Sequence, residues 1–577
     1  MSDWSHGRLS RRRFVQGSLA AAALGVLTLT AAACGGGNGG TESQAGGDQG
    51  SQSTSNGGPS STPGGQTSGT GSEAPTGGTL IYAQNQPITA ADPINPQTYP
   101  AAYEANFVIY NNLVTFDPDL SIVPDLAEKW EISDDNLVWT FWLHDGVTFH
   151  DGTPFNAAAV EAHIRRIQNP ESGSGNKNLW DHITTINVID DLTIELGTEA
   201  PFGPMLTYLA HGSGGIESPT AVEQWGDEYG HQPTGTGPYK LESMTPGTEL
   251  TLVRNDEYFK GTPKLDRIVM RVVPETGTRV ALLEAGEASV VNDIPPEEAE
   301  RLQAAGQAQV LRQAGLRTFF LEFNLNREIF TDVKVRHALN HAVDKEAIVA
   351  NLFLGYGSVL DSPAAQTIRG HVSCGSYPYD PDRAKQLLAE AGWTPGPDGI
   401  LQKDGVKMTF TINTAEGEYP KDIQVAEAIQ ANLRDVGCDV SIWKVEAAAR
   451  WSYLRVPRSE AQYDTVLFGF NPSNGDLGYH MNALFHSNPD PDAAPYVWNL
   501  MWYANEEVDR LIDEAQFTTD EQKRMELLGQ AQQIVWDDAP VIWLYAPDIL
   551  VGASPKVQGV FIWPTIFTVV RDAALTG

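Results

Sequence analysis

PDLAEKWEISDDNLVWTFWLHDGVTFHDGTPFNAAAV, residues Pro124 to Val160, carries the densest pattern in the chain. Leu137, Trp139, Phe141 and Leu143 share one face at period two, so Leu137–Leu143 reads as a half-buried strand. Trp130–Ser133 reads as a shorter strand before it, with Asp134, Asp135 and Asn136 as the turn. Asp145-Gly146 and Asp151-Gly152 are turn signals on either side of Val147–His150. Pro154 and Asn156 lead into a helix, with Asn156 as its N-cap. Physically this spacing describes an antiparallel meander and nothing more.

Upstream, the chain opens with an export segment that lies outside any fold. Arg8, Arg11, Arg12 and Arg13 make a basic start, followed by an apolar run from Leu19 to Ala33. That run is shorter than the roughly 18–20 residues a spanning helix needs. Ser10 to Gln16, SRRRFVQ, resembles a twin-arginine signal, the alternative being a general secretory signal with extra arginines. Ala31-Ala32-Ala33-Cys34 resembles a bacterial lipobox, although Ala31 stands where Leu is usual. On that resemblance Cys34 is lipidated and begins the mature chain; the alternative is a plain signal-peptidase site. Gly35 to Gly78 has no residue more apolar than Ala and cannot bury enough surface to fold. As a flexible coil it spans ~35–40 Å, a tether between lipid and globule.

At 577 residues the chain is too long for one core, so two or three domains are expected. A formal charge of −35 argues against nucleic acid and against an anionic membrane surface as partners. Removing residues 1–33 takes away four of the 38 basic residues and one of the 73 acidic ones, so the mature protein is more acidic still.

Downstream and between, the pattern predicts a first strand at Gly78–Ala83 and a buried helix or helix end over Asn106–Thr115. It predicts a hairpin over Ile186–Leu196, a tight crossing at Gly235–Leu241, and strands at Glu249–Arg254 and Lys264–Val273. The second half alternates more regularly: a strand at Arg317–Leu325, one helix from Val333 to Phe353, and another from Asp380 to Gly392. A βαβ unit follows from Lys407 to Val445, then two helices within Asn505–Trp536 and a late apolar strand, Val541–Tyr545.

Catalytic signatures are missing: no G-x-S-x-G, no H-E-x-x-H, no phosphate loop and no paired C-x-x-C. His337 and His341 have the i, i+4 spacing of a metal pair, but no third ligand is identifiable and their helix is amphipathic. His150-Asp151 has the form of an acid–base dyad, yet Asp151-Gly152 is a turn signal. Cys374 and Cys438 are either a disulfide or two isolated thiols. Trp443, Trp451, Trp498, Trp502 and Trp543 either line a cleft or pack a core.

The order of residues in the opening stretch resembles the signature of the family-5 extracellular solute-binding proteins, the peptide/nickel type. P-x-L-A-x-x-W-x-x-S-x-D matches from Pro124 to Asp135, and T-F-x-L-x-x-G-V-x-F-H-D-G-T-P-F from Thr140 to Phe155. Further matches follow at Gly235–Leu241, Asn255–Phe259, Val333–Val349, Tyr379–Trp393 and Asp537–Trp543. The resemblance implies an α/β, two-lobe periplasmic-binding-protein fold of type II with the extra domain of the peptide-binding class. Residues 79–111, 217–302 and 545–577 would form lobe I, 112–216 the extra domain, and 303–544 lobe II, after a signal peptide at 1–33 and a linker at 34–78.

The implied function is a lipid-anchored receptor of an ABC importer, trapping a peptide or other small polar solute between lobes and passing it to permease subunits. It would be exported, monomeric, held at the outer face of the cytoplasmic membrane or periplasmic, without cofactor, metal or catalysis. Peptide-binding relatives carry an Asp for the peptide α-ammonium after a G-W element; here Gly469-Phe470-Asn471-Pro472-Ser473-Asn474-Gly475-Asp476 places Ser473 there. A neutral hydroxyl lacks the charge to hold a buried ammonium, so an oligosaccharide or polyol ligand stands as the alternative. Phe470, Ser473, Asn474, Trp498, Trp502, Trp543, Tyr99 and Arg455 are the candidate ligand residues, Arg455 for a carboxylate. A ligand sensor and a secreted hydrolase are the rival functions.

Overall fold

The computed structural model describes residues 77–95, 100–490, 493–495 and 498–576. The export segment, Cys34, most of the 34–78 linker and Tyr99 lie outside the described residues.

Strand β1 (Thr79–Gln84) starts the larger of the two main sheets, several two- and three-stranded ones lying beside them, and helix α1 (Ala101–Ile109) follows it. Of the helix or helix end expected over 106–115, the structure has the helix end, at Ile109. Asn111 Nδ2 donates to Asp125 Oδ1 and the Asn112 backbone N–H to Asp125 Oδ2, each at 2.8 Å. The buried carboxylate thus draws both donors away from the helical path.

The opening meander forms as its alternation requires. Strands β2 (Ala127–Ile132) and β3 (Val138–Leu143) pair antiparallel, with Trp139, Phe141 and Leu143 buried at every second position. Asn136 takes the left-handed turn conformation at φ 61°, while Ser133 Oγ donates to Asp135 Oδ1 at 2.6 Å. Asn156 Oδ1 accepts from the Ala159 N–H at 3.2 Å and caps helix α2 (Ala157–Gln168). Strands β4 (Thr185–Asp190) and β5 (Thr193–Gly197) complete a four-stranded sheet in the order β2-β3-β5-β4. Val160, Ile164 and Ile167 of α2 share one buried cluster with Phe141, Leu143, Ile194 and Leu196 of that sheet.

The larger sheet gathers strands from most of the remaining chain. In chain order they are β6 (Tyr239–Thr245), β7 (Glu249–Arg254), β8 (Arg267–Val272), β9 (Val290–Val291), β10 (Gln309–Ala314) and β11 (Thr318–Phe323). Then come β12 (Gly357–Val359), β13 (Thr409–Glu416), β14 (Asp439–Glu446), β15 (Thr465–Phe470) and β16 (Val541–Ala553). Their order is β14-β13-β15-β11-β16-β9-β1-β8-β7-β6, with β10 and β12 also pairing β16. Parallel pairs (β1 with β8, β13 with β14) and antiparallel ones coexist, as the βαβ reading of the second half anticipates. Gly235 and Gly237 lie against the Ile109 carbonyl; an added Cβ would come within 2.3 and 2.5 Å of its oxygen.

Two expectations are corrected here. Val333–Phe353 is not one helix but two, Val333–Ala342 and Lys345–Leu352, because Asp344 breaks the run and caps the second through the Ala347 N–H at 2.9 Å. The late strand is not five residues but thirteen. Residues 541–545 of β16 pair with β11, 545–547 with β12, and 548–553 with β10. Pro547-Asp548 disguised its second half; Asp548 is held there by the Arg312 guanidinium. One strand therefore belongs to both halves of the sheet.

Candidate functional site

A cavity of about 710 Å³ opens beside β16. Asn85, Gln86, Glu104 of α1, residues 292–297, Ile566 and Thr568 line one side. Gly315, Arg317, Phe319, Phe353, Tyr356 and residues 417–421 line the other, and Tyr545 and residues 547–551 of β16 lie between. The aromatic part is built on β11 and β16: Phe319 stacks on Tyr545 at 5.1 Å and meets Tyr419 edge-on at 5.0 Å. Tyr419 is anchored by donating its hydroxyl to the Gly469 carbonyl at 3.1 Å.

The polar lining is mostly engaged. Asn85 Nδ2 donates to Asp293 Oδ2 at 2.9 Å, and its backbone N–H to Asn292 Oδ1 at 3.0 Å. Glu104, 2% exposed, accepts from the Tyr82 hydroxyl and the Thr568 N–H, both at 2.7 Å. Burial pushes its carboxyl up to about 7, and those donors only temper the rise. Glu418 is held by the Arg450 guanidinium, which also reaches Asn413 Oδ1 at 3.1 Å. Across the cavity mouth Lys421 Nζ meets Glu297 Oε2 at 3.3 Å.

The candidates from the sequence fall elsewhere. Phe470 ends β15 and joins Phe468, Trp451 and Trp498 in an aromatic group, with the Arg455 guanidinium 4.1 Å above the Trp498 ring. Ser473 Oγ lies 3.2 Å from His211 Nε2, a ring that burial keeps neutral by lowering its pKa to about 4. Asn474 is buried, its Oδ1 accepting the Asp476 N–H at 3.1 Å. Asp476 caps helix Leu477–Phe485 through the Tyr479 N–H at 2.7 Å and pairs with Arg524 at 2.8 Å, both side chains 3% exposed. Trp502 packs inside with its Nε1 donating to the Tyr463 hydroxyl at 3.2 Å. Trp543 has no exposure and stacks on Trp536 at 5.2 Å, the core alternative for a tryptophan. Tyr99 is not described, though its neighbour Pro100 lines the cavity.

None of the described candidates lines the cavity, and the cavity's own residues were not singled out in the sequence. One signal was legible: Arg317 is a lone cation leading into the wholly buried strand TFFLEF. The other motifs resolve as structure. His337 Nε2 lies 2.7 Å from the Asp537 carbonyl and His341 Nδ1 2.9 Å from that of Pro378. Among the described residues no group of three potential ligands could hold a metal. His150 contacts the Gly237 carbonyl at 3.0 Å, while Asp151 accepts from Ser218 and Thr153 in its turn. Cys374 and Cys438 are both free thiols.

Residues 121–492 match the model of the bacterial extracellular solute-binding proteins, family 5. The chain belongs to this family. It is 32% identical over 470 residues to the glutathione-binding protein GsiB of Pectobacterium atrosepticum, covering 81% of this chain and 88% of that one. Among solved structures it resembles NikA from Brucella suis in complex with Fe(III)-EDTA (TM-score 0.77, 26% identity, 86% and 100% of the two chains). It also resembles DppA from Helicobacter pylori in complex with the peptide STSA (TM-score 0.72, 27% identity, 87% and 99%). The fold is thus the two-lobe type II fold of this family. The protein is a non-enzymatic solute-binding receptor of an ABC importer, working outside the cytoplasm with a solute and permease subunits as partners.

Proposed function

We propose that this receptor captures a short peptide or peptide-like solute in the cavity beside β16. The observation that carries the reading is the cavity's position: its walls come from opposite halves of the larger sheet, and β16 runs through both. A volume of about 710 Å³ is within the ~300–1,000 Å³ of small-molecule sites. Relatives point the same way, one named for glutathione, itself a tripeptide, and one solved with a four-residue peptide.

The lobes are 79–111 with 217–302 and 545–577, and 303–544, the extra domain being 112–216. Closure about β16, with the Lys421–Glu297 pair as a latch at the rim, would trap the solute, provided the solute binds the closed state more tightly. The five carboxylates lining the cavity are all partnered, and Asp476 of the 471–476 loop, outside the cavity, is paired with Arg524, so none is free for a peptide ammonium. A free N-terminus is therefore not the group that is recognised. The anchoring unit is the lipidated Cys34 with its tether, after twin-arginine export as a monomer.

Isothermal calorimetry with N-acetylated and free tripeptides, glutathione and maltotriose tests the reading. Binding of peptides, acetylated no worse than free, supports it. Binding of maltotriose alone replaces it with the oligosaccharide reading, which the aromatic residues Tyr356, Tyr419 and Tyr545 in the cavity lining favour.

A further inference from the structure

Each carboxylate lining the cavity already has a partner. Glu297 has Lys421, Glu418 has Arg450, Asp548 has Arg312, Asp293 has the Asn85 amide, and Glu104 has Tyr82 and Thr568. Of the two lining cations, Lys421 is taken. Arg317 is left over: among the described residues no hydrogen bond or ion pair reaches its guanidinium, and its Nε is buried with no partner at all. Its guanidinium sits 5.7 Å from the Tyr419 ring centre, over a face that holds the fork but accepts no hydrogen bond in its plane.

A half-buried guanidinium with a desolvated, unmatched donor is costly to a protein that folds for its own sake. We infer that Arg317 is the specificity residue of the cavity and receives a carboxylate of the solute. The inference rests on the cavity being the solute site. A carboxylate matches the planar fork with two parallel bonds. A phosphate dianion would bring a second negative charge among five carboxylates with no second free cation, so the structure favours a single carboxylate. Arg455, the cation singled out by the sequence, is instead exposed and spent on the faces of Trp451 and Trp498.

The test compares N-acetyl tripeptides bearing a free C-terminal carboxylate with the same peptides as C-terminal amides. Calorimetry on the full chain is run for wild type, Arg317→Met and Arg317→Lys. The expected result is a preference for the carboxylate form of roughly tenfold or more in wild type, partly kept by Arg317→Lys and abolished by Arg317→Met. Urea unfolding of each variant confirms that the fold is intact. If wild type binds acid and amide equally, or Arg317→Met keeps the preference, the inference falls while the peptide reading stands. If neither form binds, the peptide reading falls and takes the inference with it.

Discussion

Glu104 and Glu217 are equally buried, each 2% exposed, yet their surroundings are opposite in charge. Glu217 lies where α2 packs against the chain that follows the small sheet. It is met by His163 Nδ1 at 2.5 Å and Arg166 Nη1 at 3.0 Å, with Arg166 also holding Asp92 at 2.6 Å. Glu104 borders the cavity and is met by neutral donors, the Tyr82 phenol and Thr568. Burial pushes both carboxyls up, but His163 and Arg166 overcome it and hold Glu217 at about 2, whereas Glu104 rises to about 7. The same contrast separates Arg524, paired with Asp476 in the interior, from Arg317 in the cavity wall. Glu217 and Asp476 are matched by cations, whereas Glu104 is matched by neutral donors and Arg317 only by the face of Tyr419.

The severest way to break this comparison is to remove the cation from the matched region. Arg166→Met strips Asp92 and Glu217 of a shared partner and is expected to cost ~3–5 kcal/mol at neutral pH by urea unfolding. A loss below about 1 kcal/mol would show that the region is not held by charge pairing.

The two glutamates also predict opposite pH slopes. Glu104 titrates at about 7 in the folded chain against an ordinary 4.5, so the folded state keeps a proton that the unfolded state has released. Its favourable contribution is complete below about 4.5 and is lost as pH rises through 7, by about 3 kcal/mol in all. Glu217, held at about 2, contributes above 4.5 and loses a similar amount as pH falls towards 2. The stability of wild type relative to Glu104→Gln should therefore fall by about 3 kcal/mol between pH 4.5 and 7, with no change in the acid limb; a difference that does not vary with pH in that window would refute the assignment.

Smaller effects sharpen the picture. Asn156→Ala should cost ~1 kcal/mol, read as a lower melting temperature, because a single cap bond is lost from α2. Arg317→Met should change unfolding free energy by less than ~1 kcal/mol, since no hydrogen bond or ion pair is lost, only the contact with the Tyr419 face. A penalty several times larger would mean that Arg317 serves the fold rather than the solute.

The local signals in the chain were read correctly where the cause is local. The period-two faces of β3, the Asn136 turn and the Asn156 cap depend on residues a few positions apart, and all appear where their patterns place them. The ordered motifs from Pro124 to Trp543 were enough to name the family, because order along a chain is a property of the sequence itself. The helix break after Ala342 was missed because Asp344, a polar residue within the run, caps a second helix, and the position of the helix end at Ile109 depends on Asp125, distant in the chain. The cavity was not legible. Its walls come from segments more than 200 residues apart, joined along a strand whose second half is masked by Pro547-Asp548. Whether a tryptophan or arginine is core, platform or anchor depends on which partners tertiary packing supplies. Trp543 found Trp536, Arg455 found Trp498, and Arg317 found the face of Tyr419 but no hydrogen-bond acceptor. Sequence determined the class of receptor, whereas only the packing of distant strands decided which of its charges is left unmatched.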